Sequence, residues 1–346
     1  MKNILFIGLG SIGQRHLRNL KKISKNYKFF AVRKNNESPE LNSKNKVIKK
    51  KFLSTQNDVT EISEKKSMNI EFHAVFICNP SSMHVGTSLA HAKKASHLFI
   101  EKPLSNNMRN IKKLKQLIQL KKIKCAVGFQ LRYHPLLKKI KDLINSNKLG
   151  KIKKAYLKNS HYLPYHHKYE DYRKGYAANN FLGGGVILCF IHEIDYANYL
   201  FNKPLSIACE GGKKSKLKID VEDHAKLKVN YKIKKNNFFA HIDLDFIEKK
   251  EKRFCKIIFE KGIVYWDLKK DLLIIDKYKK FKIKIKSPFN TRNDLFLKEV
   301  NEVMKNFKDN TKPKSNLENG ISSLVLALAA KKSMRVNKTI KLGSFL

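Results

Sequence analysis

The chain opens with an apolar block and then changes rhythm. Residues 3–7 form a short, mostly apolar run with β-branched members, the composition of a strand buried on both faces. Gly8-Leu9-Gly10-Ser11-Ile12-Gly13 follows without a gap, and Leu17 and Leu20 then recur at helical spacing. The same alternation continues. Residues 29–32, 74–78, 97–100 and 125–129 read as buried strands, and 83–94 as a helix. Ser105 is placed to cap a helix running through Ile111, Leu114, Leu117 and Ile118. Residues 47–52 and 59–66 carry weaker strand and helix signals. Strands alternating with helices predict a parallel, doubly wound sheet.

The second half has another texture. A helix is predicted over 136–144, a strand over 152–160, then a loop rich in aromatics and histidine from His161 to His167. Gly183-Gly184-Gly185 precedes a helix predicted over 186–201, which carries His192 and Asp195. Between 205 and 284, runs of alternating residues (225–231, 238–246, 254–259, 262–268 and 272–277) predict a mostly antiparallel sheet. Helices over 295–307 and 320–334 end the chain. The change of texture divides it into domains 1–126 and 127–346, with the C-terminal helix free to pack back on the first.

Composition narrows the function classes. At 346 residues there is room for two domains, each with its own core. No apolar run approaches the ~20 residues of a membrane span. Residues 4–13 are broken by glycine and run into Gln14-Arg15-His16, so export is not expected and a cytoplasmic protein is. Five scattered cysteines without a CxxC argue against a disulfide framework and for a reducing compartment. The net charge of +44 points to polyanions, yet only nine of the 73 basic residues are arginine and the lysines are spread throughout. Sites that fork phosphates or read bases favour arginine, so nonspecific adhesion is expected and dedicated nucleic-acid binding is not.

The first glycine turn has a mechanical reading. Gly8 permits the tight turn off the strand, Gly10 lets a pyrophosphate approach the backbone, and Gly13 lets helix and strand pack closely. The helix that starts there offers free N–H groups to phosphate. In such dinucleotide sites an acid about 20 residues beyond the last glycine receives the ribose hydroxyls. Here Arg33-Lys34 stands in that place, which tilts the expectation from NAD towards NADP unless the pair is only a solvated basic turn. Asn79-Pro80-Ser81, after a buried strand, lies where an open parallel sheet places its ligand.

With these pieces in order, the chain resembles the Gfo/Idh/MocA oxidoreductases, the glucose–fructose oxidoreductase and inositol dehydrogenase family. The resemblance rests on Gly8 to Gly13, Cys78-Asn79-Pro80-Ser81-Ser82-Met83-His84, Glu101-Lys102-Pro103, the segment around Arg132 and the stretch from Gly183 to Asp195. Glu260 to Asp267 and the last helix are also similar. The resemblance implies an α/β protein, with an N-terminal Rossmann domain and a C-terminal α/β domain whose open sheet makes a homo-dimer or homo-tetramer. It implies a nicotinamide cofactor held by Gly8, Gly10, Ser11, Ile12, Gly13, Arg33, Lys34, Asn79, Pro80, Ser81, His84, Glu101 and Lys102, and a sugar, polyol or nucleotide-sugar substrate. Lys102 matches the family's catalytic lysine and His192 its catalytic histidine. The Asp that many members carry one turn before the histidine is replaced by Leu188 or Cys189, which leaves Asp195 to orient the ring.

A histidine with pKa near neutrality suits removal of an alcohol proton as hydride leaves, and a fixed ammonium stabilises the developing alkoxide. Arg132 is expected either to meet the substrate or to pair with an acid; Tyr162 and Tyr172 either stack on a sugar or pack locally. His161, His166 and His167 lack acidic or thiol partners at site-like spacing, so no metal is expected. The segment from Tyr172 to Asn179 is similar to members encoded among surface-polysaccharide genes. A non-catalytic dinucleotide-binding regulator of the same fold is the alternative; retention of both lysine and histidine favours the enzyme.

Overall fold

The N-terminal apolar run forms β1 (Lys2–Ile7), buried from Ile4 onward, and the chain passes straight into α1 (Ser11–Ile23). The computed structural model describes residues 1–34, 38–278 and 281–343. By its contacts the chain forms two units, Met1–Gln130 with Phe289–Ile321 and Leu131–Pro288 with Ser322–Leu346.

In the first unit β2 (Tyr27–Val32) follows, then a small antiparallel pair, β3 (Glu40–Leu41) and β4 (Val47–Lys49). Next come β5 (Val59–Glu61), α2 (Glu64–Ser67), β6 (Ala74–Ile77), α3 (His84–His91), β7 (His97–Ile100), α4 (Ile111–Leu120) and β8 (Lys124–Val127). The main sheet is parallel throughout, in the order β5-β2-β1-β6-β7-β8. Phe6, Phe76 and Phe99 stack across its centre with ring centroids 5.2 and 4.9 Å apart. Strands are added outward in opposite directions from β1 and β6, so a crevice opens at their carboxyl ends, at Gly8 and Cys78.

Two local expectations need correcting in this unit. Ser105 does not cap α4; its hydroxyl accepts the Asn107 N–H in a turn, and Asn110 in a left-handed conformation starts the helix. The first unit also runs on past residue 126, because the Gly128 N–H bonds the Ile100 carbonyl and Phe129 is fully buried.

The second unit begins with α5 (Pro135–Ser146) and β9 (Ile152–Ser160). The helix predicted over 186–201 is two, α6 (Val186–Cys189) and α7 (Ile191–Phe201), because Phe190 leaves helical backbone geometry at φ −100°, ψ 29°. β10 (Pro204–Gly212), β11 (His224–Ile233), β12 (Asn236–Asp245), β13 (Lys252–Phe259), β14 (Gly262–Asp267), β15 (Leu272–Lys277) and β16 (Phe281–Lys286) follow. After them α8 (Arg292–Lys308) rejoins the first unit, where it packs on α1, and α9 (Leu317–Val336) and β17 (Ile340–Lys341) close the described chain. The large sheet runs β16-β15-β14-β13-β9-β12-β11-β10-β17 and is antiparallel except where β9 meets β12. Along β12 one face is buried at Phe238, Ala240, Ile242 and Leu244 while the intervening residues are more exposed, the signature of a one-sided sheet. Among the described residues no helix is long and apolar enough to cross a membrane.

Candidate dinucleotide site and catalytic residues

The turn from β1 to α1 is built around backbone approach. Gly8 sits at φ +93°, and a Cβ there would lie 3.0 Å from the Cys78 carbonyl oxygen. A Cβ on Gly13 would lie only 2.4 Å from the Gly8 carbonyl oxygen, so glycine alone fits. Gly10 is different: no heavy atom lies within 4 Å of its absent Cβ. It is also the N-cap of α1 and brings no side-chain cap, leaving the amides of Ser11, Ile12 and Gly13 without intrahelical partners. An open space beside uncapped helix amides fits a pyrophosphate.

The loops after β6 and β7 flank that turn and are tied to each other. The buried His84 ring lies 2.8 Å from both the Asn79 carbonyl (Nε2) and the Pro103 carbonyl (Nδ1). Asn79 Nδ2 donates to Thr87 Oγ1 at 2.9 Å, Ser81 is buried, and Pro80 starts the short turn that leads into α3. Glu101 follows β7 with its carboxylate inward, 2.7 Å from His16 Nε2, and receives the Lys102 amide at 3.0 Å. Lys102 is half-buried and joins Pro103 through a cis peptide.

At the end of β2, Arg33 is held within the protein. Its side chain is 3% exposed; Nη1 donates to Glu61 Oε1 at 2.8 Å and to the Phe52 carbonyl at 3.2 Å. Burial pushes the Glu61 carboxyl up, but hydrogen bonds from Ser54 and Arg33 outweigh it and hold it below the usual range. Lys34 is exposed. Arg33 is thus paired with an acid from the neighbouring strand β5. Nothing in sequence spacing marks Glu61; only the parallel register of β2 with β5 brings it there.

In the second unit His192 lies in the first turn of α7 and is 6% exposed. Asp195, one turn on, is gripped by Arg132, whose Nε and Nη2 donate at 2.9 Å to the two carboxylate oxygens, and by the Ser323 hydroxyl at 2.9 Å. Burial pushes the Asp195 carboxyl up while Arg132 and Ser323 pull it back. The structure therefore joins Arg132 to Asp195. Glu193, fully buried, accepts from Asn159 and Arg253. The start of α6 is held by a residue that sequence reading did not single out. Glu222 receives the Val186 amide on its backbone carbonyl and the Ile187 amide on its carboxylate, which also meets Lys331 at 3.2 Å. Gly185, at φ +99°, makes room, since a Cβ there would come within 2.4 Å of that carboxylate.

Leu188 and Cys189 are buried apolar neighbours in α6. The Tyr172 hydroxyl accepts from the Lys218 amide, and Tyr162 packs edge-on against Tyr165. The His161 and His166 rings meet at 4.3 Å, but among the described residues no group of three or more metal-ligating side chains forms.

A parallel sheet of this order, with a glycine turn entering an uncapped helix at its switch point, defines a dinucleotide-binding protein. The profile described as "Oxidoreductase family, NAD-binding Rossmann fold" matches residues 2–129, and the GFO/IDH/MocA C-terminal domain matches 137–265. The chain belongs to the Gfo/Idh/MocA family of NAD-binding oxidoreductases. It is 24% identical over 97% of both chains to the myo-inositol 2-dehydrogenase of Thermotoga maritima. It is 25% identical, over 58% of this chain and 54% of the relative, to the scyllo-inositol 2-dehydrogenase (NAD(+)) of Bacillus subtilis. Among solved structures, a dehydrogenase from Bordetella pertussis in complex with NADH and UDP-GlcNAcA shares the fold with a TM-score of 0.78, at 15% identity over 98% of each chain.

Proposed function

We propose that the protein interconverts a secondary alcohol and its ketone on a cyclitol, sugar or nucleotide sugar. The observation that carries the reading is the open space at Gly10 beside the uncapped start of α1, which suits a dinucleotide pyrophosphate. Ser11, Ile12 and Gly13 would hold the phosphates through their amides, and the Asn79 and Glu101–Lys102 loops would hold the nicotinamide end. When bound, that ring supplies the acceptor or donor of hydride.

The chain's own residues do the rest. His192 takes the proton from the reacting hydroxyl during oxidation and returns it during reduction. Lys102 offers an ammonium suited to stabilising the charge that develops on an alkoxide oxygen. Arg132 and Asp195 hold the turn of α7 that carries His192. Among dinucleotides we favour NAD, against the tilt drawn from Arg33-Lys34. The guanidinium that suggested a 2′-phosphate is engaged by Glu61, and a carboxylate there accepts ribose hydroxyls and repels phosphate. The inositol dehydrogenase names of relatives support a cyclitol first; the nucleotide-sugar complex of a structural neighbour keeps sugar nucleotides second.

The test is nicotinamide absorbance with a panel of cyclitols, sugars and nucleotide sugars, each with NAD and NADP. Turnover is expected with NAD, and His192→Asn should lower it roughly 10²–10⁴-fold while leaving NAD affinity unchanged. A larger thermal shift with NADP than with NAD would overturn the cofactor choice. Binding of dinucleotide with no turnover across the panel would favour the non-catalytic reading.

A further inference from the structure

The helix that carries His192 is buried on every side: from Ile191 to Asn198 no residue of α7 reaches solvent to any extent. Burial of apolar surface is non-directional, so a helix enclosed all round is not given one facing by burial alone. His192 needs one facing. Two buried acids close to it supply directions that apolar packing does not. At about 100° per residue, Glu193 and Asp195 point to nearly opposite sides of the helix, and His192 lies between them. Asp195 is held by Arg132 and by Ser323 of α9. Glu193 turns to the sheet.

The partners of Glu193 there are register mates. Arg253 of β13 lies opposite Asn159 of β9 in the antiparallel ladder. Arg253 Nε donates to Glu193 Oε1 at 2.7 Å, and Asn159 Nδ2 donates to Oε2 at 3.0 Å. Each carboxylate oxygen is therefore tied to a different strand. The Glu193 side chain is 0% exposed and that of Arg253 18%. Charge-assisted bonds of this kind are short and directional. Rolling α7 about its axis would carry the carboxylate away from both donors while leaving it buried, which is costly.

We propose that Glu193 is a positioning residue that fixes the roll of α7 against the sheet, and with it the direction of the His192 ring. Arg253 and Asn159 are its anchors. The Arg132–Asp195 pair fixes the opposite side, so the histidine sits between two clamps. That the clamp serves proton transfer rests on the reading of His192 as the base; the fixing of the ring does not.

The experiment uses the full chain and two variants in which stability and positioning part company. Glu193→Gln keeps an acceptor oxygen for the two donors but leaves Arg253 without its charge partner, so it should melt well below the native protein. Glu193→Leu combined with Asn159→Val and Arg253→Met replaces the whole polar group by apolar side chains. It should melt above Glu193→Gln, because a buried ion pair exchanged for apolar packing loses little or no stability. Turnover should rank the other way. With the substrate that the panel identifies, kcat should fall roughly 10–100-fold in the triple variant and less in Glu193→Gln, with NAD affinity within about twofold of native in both. In spectra of protein carrying isotope-labelled histidine, the His192 signals are those lost in His192→Asn. They should move or split in the triple variant and stay nearer their native positions in Glu193→Gln.

Turnover that follows the melting temperature, or His192 signals unmoved in the triple variant, would overturn the proposal. Should the triple variant fail to fold, Glu193→Met with Asn159→Val and Arg253→Leu takes its place in both measurements. A native protein that turns over nothing in the panel would refute the functional reading, while the histidine signals would still judge Glu193.

Discussion

The three glycines of the β1–α1 turn do unlike work, and substitution should separate them. A Cβ on Gly13 meets the Gly8 carbonyl at 2.4 Å, so Gly13→Ala forces apart the strand and helix that the first unit is built on. Overpacking of this kind costs about 1–3 kcal/mol, which thermal melting without ligand should reveal. A Cβ on Gly10 meets nothing within 4 Å, so Gly10→Val should leave that melting curve nearly unmoved. It should instead abolish the shift, about 2.7 kcal/mol at ~100 times the dissociation constant, that NAD otherwise produces. An intact NAD shift in Gly10→Val would place the pyrophosphate elsewhere. The Arg132–Asp195 pair makes the second residue-scale case. Both side chains are buried and bonded at 2.9 Å, so Asp195→Asn leaves a guanidinium without its charge partner and should cost about 3–5 kcal/mol. Because the two act as a unit, Asp195→Asn with Arg132→Gln should cost less than the two single changes added together. Strict additivity would show that the pair is not coupled.

The placement of His192 depends on how its helix begins. Phe190 breaks the predicted helix, so α6 and α7 must each be anchored, and Glu222 anchors the first through the Val186 and Ile187 amides. Removing an N-terminal acceptor costs about 1 kcal/mol, and Lys331 then loses its partner as well. Glu222→Ala should therefore lower both stability and turnover while leaving NAD affinity intact, because the dinucleotide residues lie in the other unit. Glu222→Gln keeps an acceptor oxygen and should recover most of the turnover. A drop in NAD affinity with unchanged turnover would contradict this assignment. The triple glycine was legible as a motif, but its reason was not. Gly185 is needed because a carboxylate from a distant loop approaches the backbone there.

For the whole molecule, the charge of +44 is a property of the surface. Ion pairs such as Lys21–Asp58 and Lys312–Glu318 are exposed and add little each, so most lysines remain solvated. Retention on a heparin column near 50 mM salt and release by a few hundred millimolar are expected, with equal affinity for unrelated DNA duplexes. Sequence-selective binding that survives high salt would contradict this. Local pattern was enough for much of the architecture. The strands at 97–100, 152–160 and 272–277 coincide with β7, β9 and β15, because burial on one or both faces imposes its period on neighbouring residues. The glycine turn, the Glu101-Lys102-Pro103 step and the His192 segment were visible for the same reason, each being a short contiguous stretch. Tertiary structure decided everything that depends on residues far apart in the chain. Glu61 reaches Arg33 across a parallel strand pair, Arg132 reaches Asp195, and α8 returns from residue 292 to pack Phe296 on His16. Hydrophobic periodicity carries no record of such meetings, because a buried charge is set by its partner rather than by its neighbours in sequence.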